Sequence, residues 1–223
     1  MFGYTLVRTR RKSVSIVVDR DASLVVRAPL RFPVSRIEEF LQSNREWIDR
    51  TVKQRLEVQA HFPERRYING ENFFYLGESY PLRLVDYAEK TLSFEKGVFQ
   101  LLRHSKWRAK NVFAEWYRRE AETFLSGTIR RIASERGIQY GRVRTRDMRS
   151  RWGSCSAIGD ISLNSRLILA PPQMAEYVAA HELAHISYRD HSADFWKETE
   201  RLCKHFRESR LWLRENGHTL VWE

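Results

Sequence analysis

A chain of 223 residues, 42% hydrophobic and 13% aromatic, has enough apolar material for one large domain or two small ones. Its formal net charge of +11, from 39 Lys and Arg against 28 Asp and Glu, suits polyanions or acidic substrates. No run approaches the roughly 20 apolar residues of a membrane span, and two cysteines, Cys155 and Cys203, make no disulfide framework.

Met1-Phe2-Gly3-Tyr4 lacks the charged, apolar and small-residue order of a signal peptide. A reduced, cytoplasmic setting is therefore expected. Residues 4–29 read as strands: Val14, Ile16 and Val18 alternate with polar or small neighbours, and a turn at Asp19-Arg20-Asp21-Ala22 leads into Leu24-Val25-Val26. Pro33 precedes a helix expected to run to about residue 57, opened by a capping-box pattern at Ser35-Arg36-Ile37-Glu38. Ile37, Phe40, Leu41, Trp47, Ile48 and Val52 form its packing side.

Residues 58–71 read as a connection, with Pro63 and an Asn69-Gly70 turn. Short strands follow at Phe74-Tyr75-Leu76, Leu82-Arg83-Leu84-Val85 and Val98-Phe99-Gln100-Leu101, separated by Gly77 and Gly97. Residues 1–103 are thus expected as a β-rich N-terminal subdomain with one helix, and 104–223 as a second domain.

The second part opens with a long helix over about 106–137, stopped by Gly137 and apolar along Val112, Phe113, Trp116, Tyr117, Phe124, Leu125, Ile129 and Ile132. Residues 141–149 suit a strand with Arg142, Arg144 and Arg146 on one face. Arg151-Trp152-Gly153-Ser154-Cys155-Ser156 breaks regularity, and residues 161–169 read as another strand. Pro171 and Pro172 then suit the first turn of a helix, and Phe195, Trp196, Leu202 and Phe206 support a further helix beyond it.

The helix after Pro172 carries the chemistry: His181-Glu182-Leu183-Ala184-His185, followed by His191. Histidines four residues apart share one helix face and lie about 6 Å apart along the axis, close enough to reach one metal ion. Glu182 beside them can act on a metal-activated water without being a ligand. Catalytic zinc needs three protein ligands and one open position. His191 is the expected third, with Glu198 or Glu200 as acidic alternatives. The six-residue step from His185 to His191 equals that of the metzincin pattern. Tyr188, however, stands where that pattern has glycine, and every methionine lies upstream of His191. The site is zincin-like but not a metzincin.

With these residues in place, the chain resembles the YgjP-like metal-dependent hydrolases (DUF45) of the zincin-like group, which also includes SprT-type proteins. The likeness rests on Arg151-Trp152-Gly153-Ser154-Cys155, Leu163-Asn164, residues 177–185, and His191-Ser192-Ala193-Asp194-Phe195-Trp196, with weaker likeness in the N-terminal strands and Tyr75-Leu76-Gly77-Glu78. The resemblance implies an α+β zincin-like metallohydrolase domain behind a small β-rich N-terminal part. It also implies zinc held by His181, His185 and His191, with Glu182 as catalytic base.

Zinc-dependent peptide-bond hydrolysis is the first expectation, with a peptide or protein as substrate. Arg151 and Asn164 are candidate substrate-binding residues, Asn164 on a strand where an extended peptide could pair. Arg151, Tyr188 and His205 are candidate oxyanion donors. Two alternatives stay open. A metal-dependent hydrolase could attack a phosphoanhydride, its arginines holding phosphates; or a nucleic-acid-associated binding protein could carry a structural zinc closed by a fourth protein ligand. Basic clusters at residues 8–12 and 142–151 suit non-specific polyanion or nucleic-acid contact, and suit a solvated surface equally well.

Overall fold

The computed structural model describes residues 3–19, 22–61, 65–148 and 150–221. Contacts divide the chain into two compact units, Met1–Glu64 and Arg65–Glu223. Pro63, Arg149 and the turn residues Arg20 and Asp21 lie outside the described residues.

The first unit is a three-stranded sheet with two helices. β1 (Thr5–Thr9) runs parallel to β3 (Leu24–Pro29), which pairs antiparallel with β2 (Ser15–Val18). Val18, Leu24, Val26 and Ala28 form one buried cluster with Ile37 and Leu41 of α1 (Val34–Ser43) and Ile48 of α2 (Arg45–His61). The single helix expected over 33–57 is therefore two. Asn44 interrupts it, at φ −112° and ψ 16°, and its side-chain amide donates to Phe40 O at 2.7 Å. Asparagine readily offers the backbone such a bond in place of helix continuation. The expected capping box is not used, because Pro33 occupies the N-cap and Ser35 already lies in the first turn.

In the second unit, β4 (Asn72–Tyr75), β5 (Glu78–Val85), β6 (Leu92–Glu95) and β7 (Val98–Leu102) form a sheet of order β4-β5-β7-β6. Its aromatic face meets α3 (Ala109–Arg136): Phe73 stacks on Phe113 with centroids 4.2 Å apart, and Phe99 meets Trp116 edge-on at 5.0 Å. These strands consequently share one core with α3, and the division between units falls after Glu64 rather than near residue 103. α3 ends where Gly137 turns left-handed at φ 66°.

A second sheet of this unit has β10 (Ile161–Asn164) between β8 (Val143–Arg146) and β9 (Gly153–Cys155). β9 is a strand that its composition did not predict. The strand expected over 161–169 stops at Asn164, whose side-chain oxygen accepts a hydrogen bond from Arg166 N at 3.2 Å and starts a 3-10 turn over Ser165–Leu169. α4 (Pro172–Ala184) packs on α3, on β9 and β10, and on α5 (Ala193–Leu202) and α6 (Phe206–Asn216). Ala175, Ala179 and Ala180 of α4 are fully buried, so their small side chains let these neighbours approach closely. The described residues thus make a mixed α+β fold of six α-helices and three small sheets. None of these helices is long and apolar enough to cross a membrane.

Candidate metal centre

α4 carries His181 and Glu182 in its last turn and has His185 as its C-cap. The helix stops at Ala184, and Tyr188 N returns to Ala184 O at 3.0 Å. That turn aims the Tyr188 carbonyl at His185 Nδ1, 2.9 Å away. A carbonyl only accepts, so Nδ1 carries the proton and Nε2 keeps its lone pair. Arg189 anchors the following residues by donating to Ser156 O at 2.7 Å and Ala157 O at 2.9 Å. Asp190 Oδ1 accepts from Ser192 N at 3.2 Å. The chain doubles back, and His191 Nε2 arrives 3.2 Å from His181 Nε2.

The three imidazoles rest on one aromatic ring. Phe195, fully buried in the first turn of α5, lies with its centroid 4.9 Å from His181, 4.5 Å from His185 and 4.8 Å from His191. Ser192 caps that helix by accepting from Phe195 N, which fixes where the ring enters. Trp196 stacks on His191 at 5.8 Å and on Phe206 at 5.7 Å.

One potential ligand atom from each histidine lies within 4.8 Å of the others, and among the described residues this is the cluster suited to a metal ion. Glu198 and Glu200, the acidic alternatives, are engaged by Arg201 and Arg207. Two nitrogens bound tetrahedrally to one zinc at about 2.05 Å stand about 3.3 Å apart, close to the His181–His191 separation. Burial, with the neighbouring imidazoles and Arg210 adding to it, pushes His181 down to about 3, and burial also lowers His185. Burial thus favours the neutral form of both rings, the form that ligation requires. The residues fit a divalent metal.

A family model described as YgjP-like, metallopeptidase domain matches residues 12–216. The chain belongs to this family. Membership supports a metal-dependent hydrolase and implies a metal ion. Among solved structures, the metallopeptidase zymogen of Pyrococcus abyssi abylysin is 26% identical, covering 40% of this chain and 93% of that one, with a TM-score of 0.33. No curated protein matches.

Within this YgjP-like domain Glu182 is 4% exposed, its side chain lying over Gly153 of β9. Burial pushes its carboxyl up to about 8, against the opposing pull of the Arg151 guanidinium. Arg151 is exposed, and its charge reaches the Glu182 carboxyl. Asn164 is fully buried and so presents no face to a cleft. Its amide donates to Met148 O at 2.8 Å and Arg151 O at 2.9 Å, and its backbone N–H donates to Trp152 O at 2.8 Å. It acts on the backbone that carries Arg151. Tyr188 contributes its carbonyl, and His205 lies 3.5 Å from Glu176.

The sequence alone assigns neither Phe195 nor Gly153 a role at the site. Phe195 reads as an ordinary apolar helix residue, and Gly153 sits in a stretch without periodicity.

Proposed function

We propose that this protein is a zinc-dependent peptidase in which His181, His185 and His191 hold the metal and Glu182 is the base. The observation that carries the reading is the 3.2 Å approach of the His181 and His191 Nε2 atoms, with the His185 ring held in the tautomer that leaves its own Nε2 free. Bound there, zinc supplies a Lewis acid that polarises a carbonyl and lowers the pKa of a water. Among the described residues the three histidines gather without a fourth protein ligand, which suits a catalytic site rather than a structural one.

Glu182 takes a proton from the attacking water and passes it to the departing amine nitrogen. Its burial lets it hold that proton near neutral pH. A divalent cation held by the three imidazoles would favour its carboxylate form between turnovers. Arg151 faces the same carboxyl from an exposed position and supplies positive charge where the oxyanion develops. β9 lies at the edge of its sheet against α4. An extended peptide adds to that edge as a further strand, its scissile carbonyl over the histidines.

The test compares wild type and Glu182→Ala on a casein-type protein and on nucleoside triphosphates, with zinc content measured in both. Cleavage of the protein by wild type, lost in the variant with zinc retained, is expected. Phosphate or pyrophosphate release without protein cleavage would replace the peptidase with a phosphoanhydride hydrolase. Casein cleavage undiminished in the variant would remove Glu182 as the base.

A further inference from the structure

Gly153 is the first residue of β9, and its missing side chain leaves a gap that Glu182 fills. A Cβ at this position would stand 2.7 Å from Glu182 Cγ and 2.8 Å from Cδ, and would overlap Oε1. Ordinary contact between carbon atoms lies at about 3.5–4.0 Å. The three atoms nearest to that Cβ all belong to this one side chain. Backbone conformation does not require glycine, because Gly153 is not among the residues with positive φ. An alanine would meet the carboxylate arm first.

The floor beneath that arm is fixed from behind. Gly153 pairs with Leu163, which is fully buried in the centre of the sheet. The preceding two residues have their carbonyls held by Asn164, Trp152 O at 2.8 Å and Arg151 O at 2.9 Å. The Trp152 ring abuts Gly217, where a Cβ would stand 2.6 Å from Cζ2, and Arg166 lies over its face at 5.3 Å. Above, α4 is packed on α3, α5 and α6. Between a braced strand and a braced helix, the element free to yield is the Glu182 side chain.

We propose that Gly153 is the positioning residue for Glu182, its bare backbone setting where the carboxylate stands relative to the three histidines. The proposal rests on the reading of Glu182 as base. The glycine touches no reacting atom, and its effect passes entirely through the neighbouring carboxylate. A methyl group there displaces the carboxylate by about 1 Å, a shift that can cost on the order of 100-fold in rate.

The experiment is a double-mutant cycle on the full chain with zinc: wild type, Gly153→Ala, Glu182→Ala and the double variant. Gly153→Ala is expected to keep its zinc and to lose about 100-fold in kcat on casein, with KM changed by no more than a few fold. Its thermal midpoint falls below that of wild type, whereas the double variant melts with Glu182→Ala, because the overlap is gone. A Gly153→Ala protein that fails to fold beside a double variant that folds supports the same coupling. Full kcat in Gly153→Ala, or an equal thermal loss from the methyl group in both backgrounds, would overturn it. Wild-type activity in Glu182→Ala would instead remove the base, while the thermal cycle still decides whether the two residues are coupled.

Discussion

Asn164, fully buried at the end of β10, holds the carbonyl oxygen of Arg151 at 2.9 Å with its side-chain amide. The same amide holds Met148 O and accepts from Arg166 N, so one side chain suspends the loop that leads into β9. Arg151 sits on that loop and Gly153 at its junction with β9. Their approach to Glu182 therefore depends on a residue that never meets solvent.

Asn164→Ala takes a hydrogen bond from the Arg151 carbonyl and from the Arg166 backbone N–H, while Met148 O keeps the Arg166 guanidinium at 2.7 Å. Each buried polar group left unpaired costs about 1–3 kcal/mol, and loop residues near solvent recover part of this from water. A loss of about 2–4 kcal/mol in unfolding free energy is expected, read from urea denaturation. Peptidase activity should fall while zinc content is kept, since the histidines stand on other elements. Unchanged stability would show that the loop holds itself.

Metal should act as a folding ligand. With free zinc about 1,000-fold above its dissociation constant, the native state gains about 4 kcal/mol. For a chain of this size each kcal/mol moves the thermal midpoint by about 2–4 °C, so adding zinc to chelator-treated protein should raise it by about 8–16 °C. His191→Ala should lose most of that rise, because the ring returning from the α4–α5 turn closes the site. A rise that survives in the variant would place the zinc elsewhere.

Asp160 gives the chain a pH signature away from the metal. Its carboxylate accepts from Arg142 N at 2.8 Å and faces the Arg142 guanidinium at 3.0 Å, and these contacts hold its carboxyl below the usual range. A depressed native value contributes stability above the unfolded-state pKa, which is lost as pH falls through the native one. Asp160→Asn should therefore be less stable than wild type at pH 7, and the gap should begin to close below about pH 4. Urea midpoints at pH 7 and near pH 2.5 measure this. A gap that persists in acid would show that the carboxylate charge is not its source.

The helical spacing of His181 and His185 is visible in the chain because both ligands stand on one element, and the period of an α-helix fixes their relation. His191 lies on a return turn that no period describes. Its place follows from the Tyr188 carbonyl, the grip of Arg189 on Ser156 and Ala157, and the Ser192 cap. Gly153 was hidden for another reason. Its strand is three residues long, too short for alternation, and its importance lies in atoms it lacks. Asn164 reads as a polar residue at the end of a strand, yet it faces inward because three backbone groups of two different segments converge on it. The break at Asn44 was missed because apolar residues keep helical spacing across it, although Phe40 and Trp47 are more than a third exposed.

The central claim is that one divalent ion is held by three imidazoles, with Glu182 beside it but not bound to it. Metal content per chain, measured on purified wild type, His181→Ala, His185→Ala, His191→Ala and Glu182→Gln after equilibration with zinc and removal of excess, tests it most directly. The account predicts one zinc per chain in wild type and in Glu182→Gln, and substantially less than one in each histidine variant. Full occupancy in His191→Ala, or loss of zinc in Glu182→Gln, would contradict it.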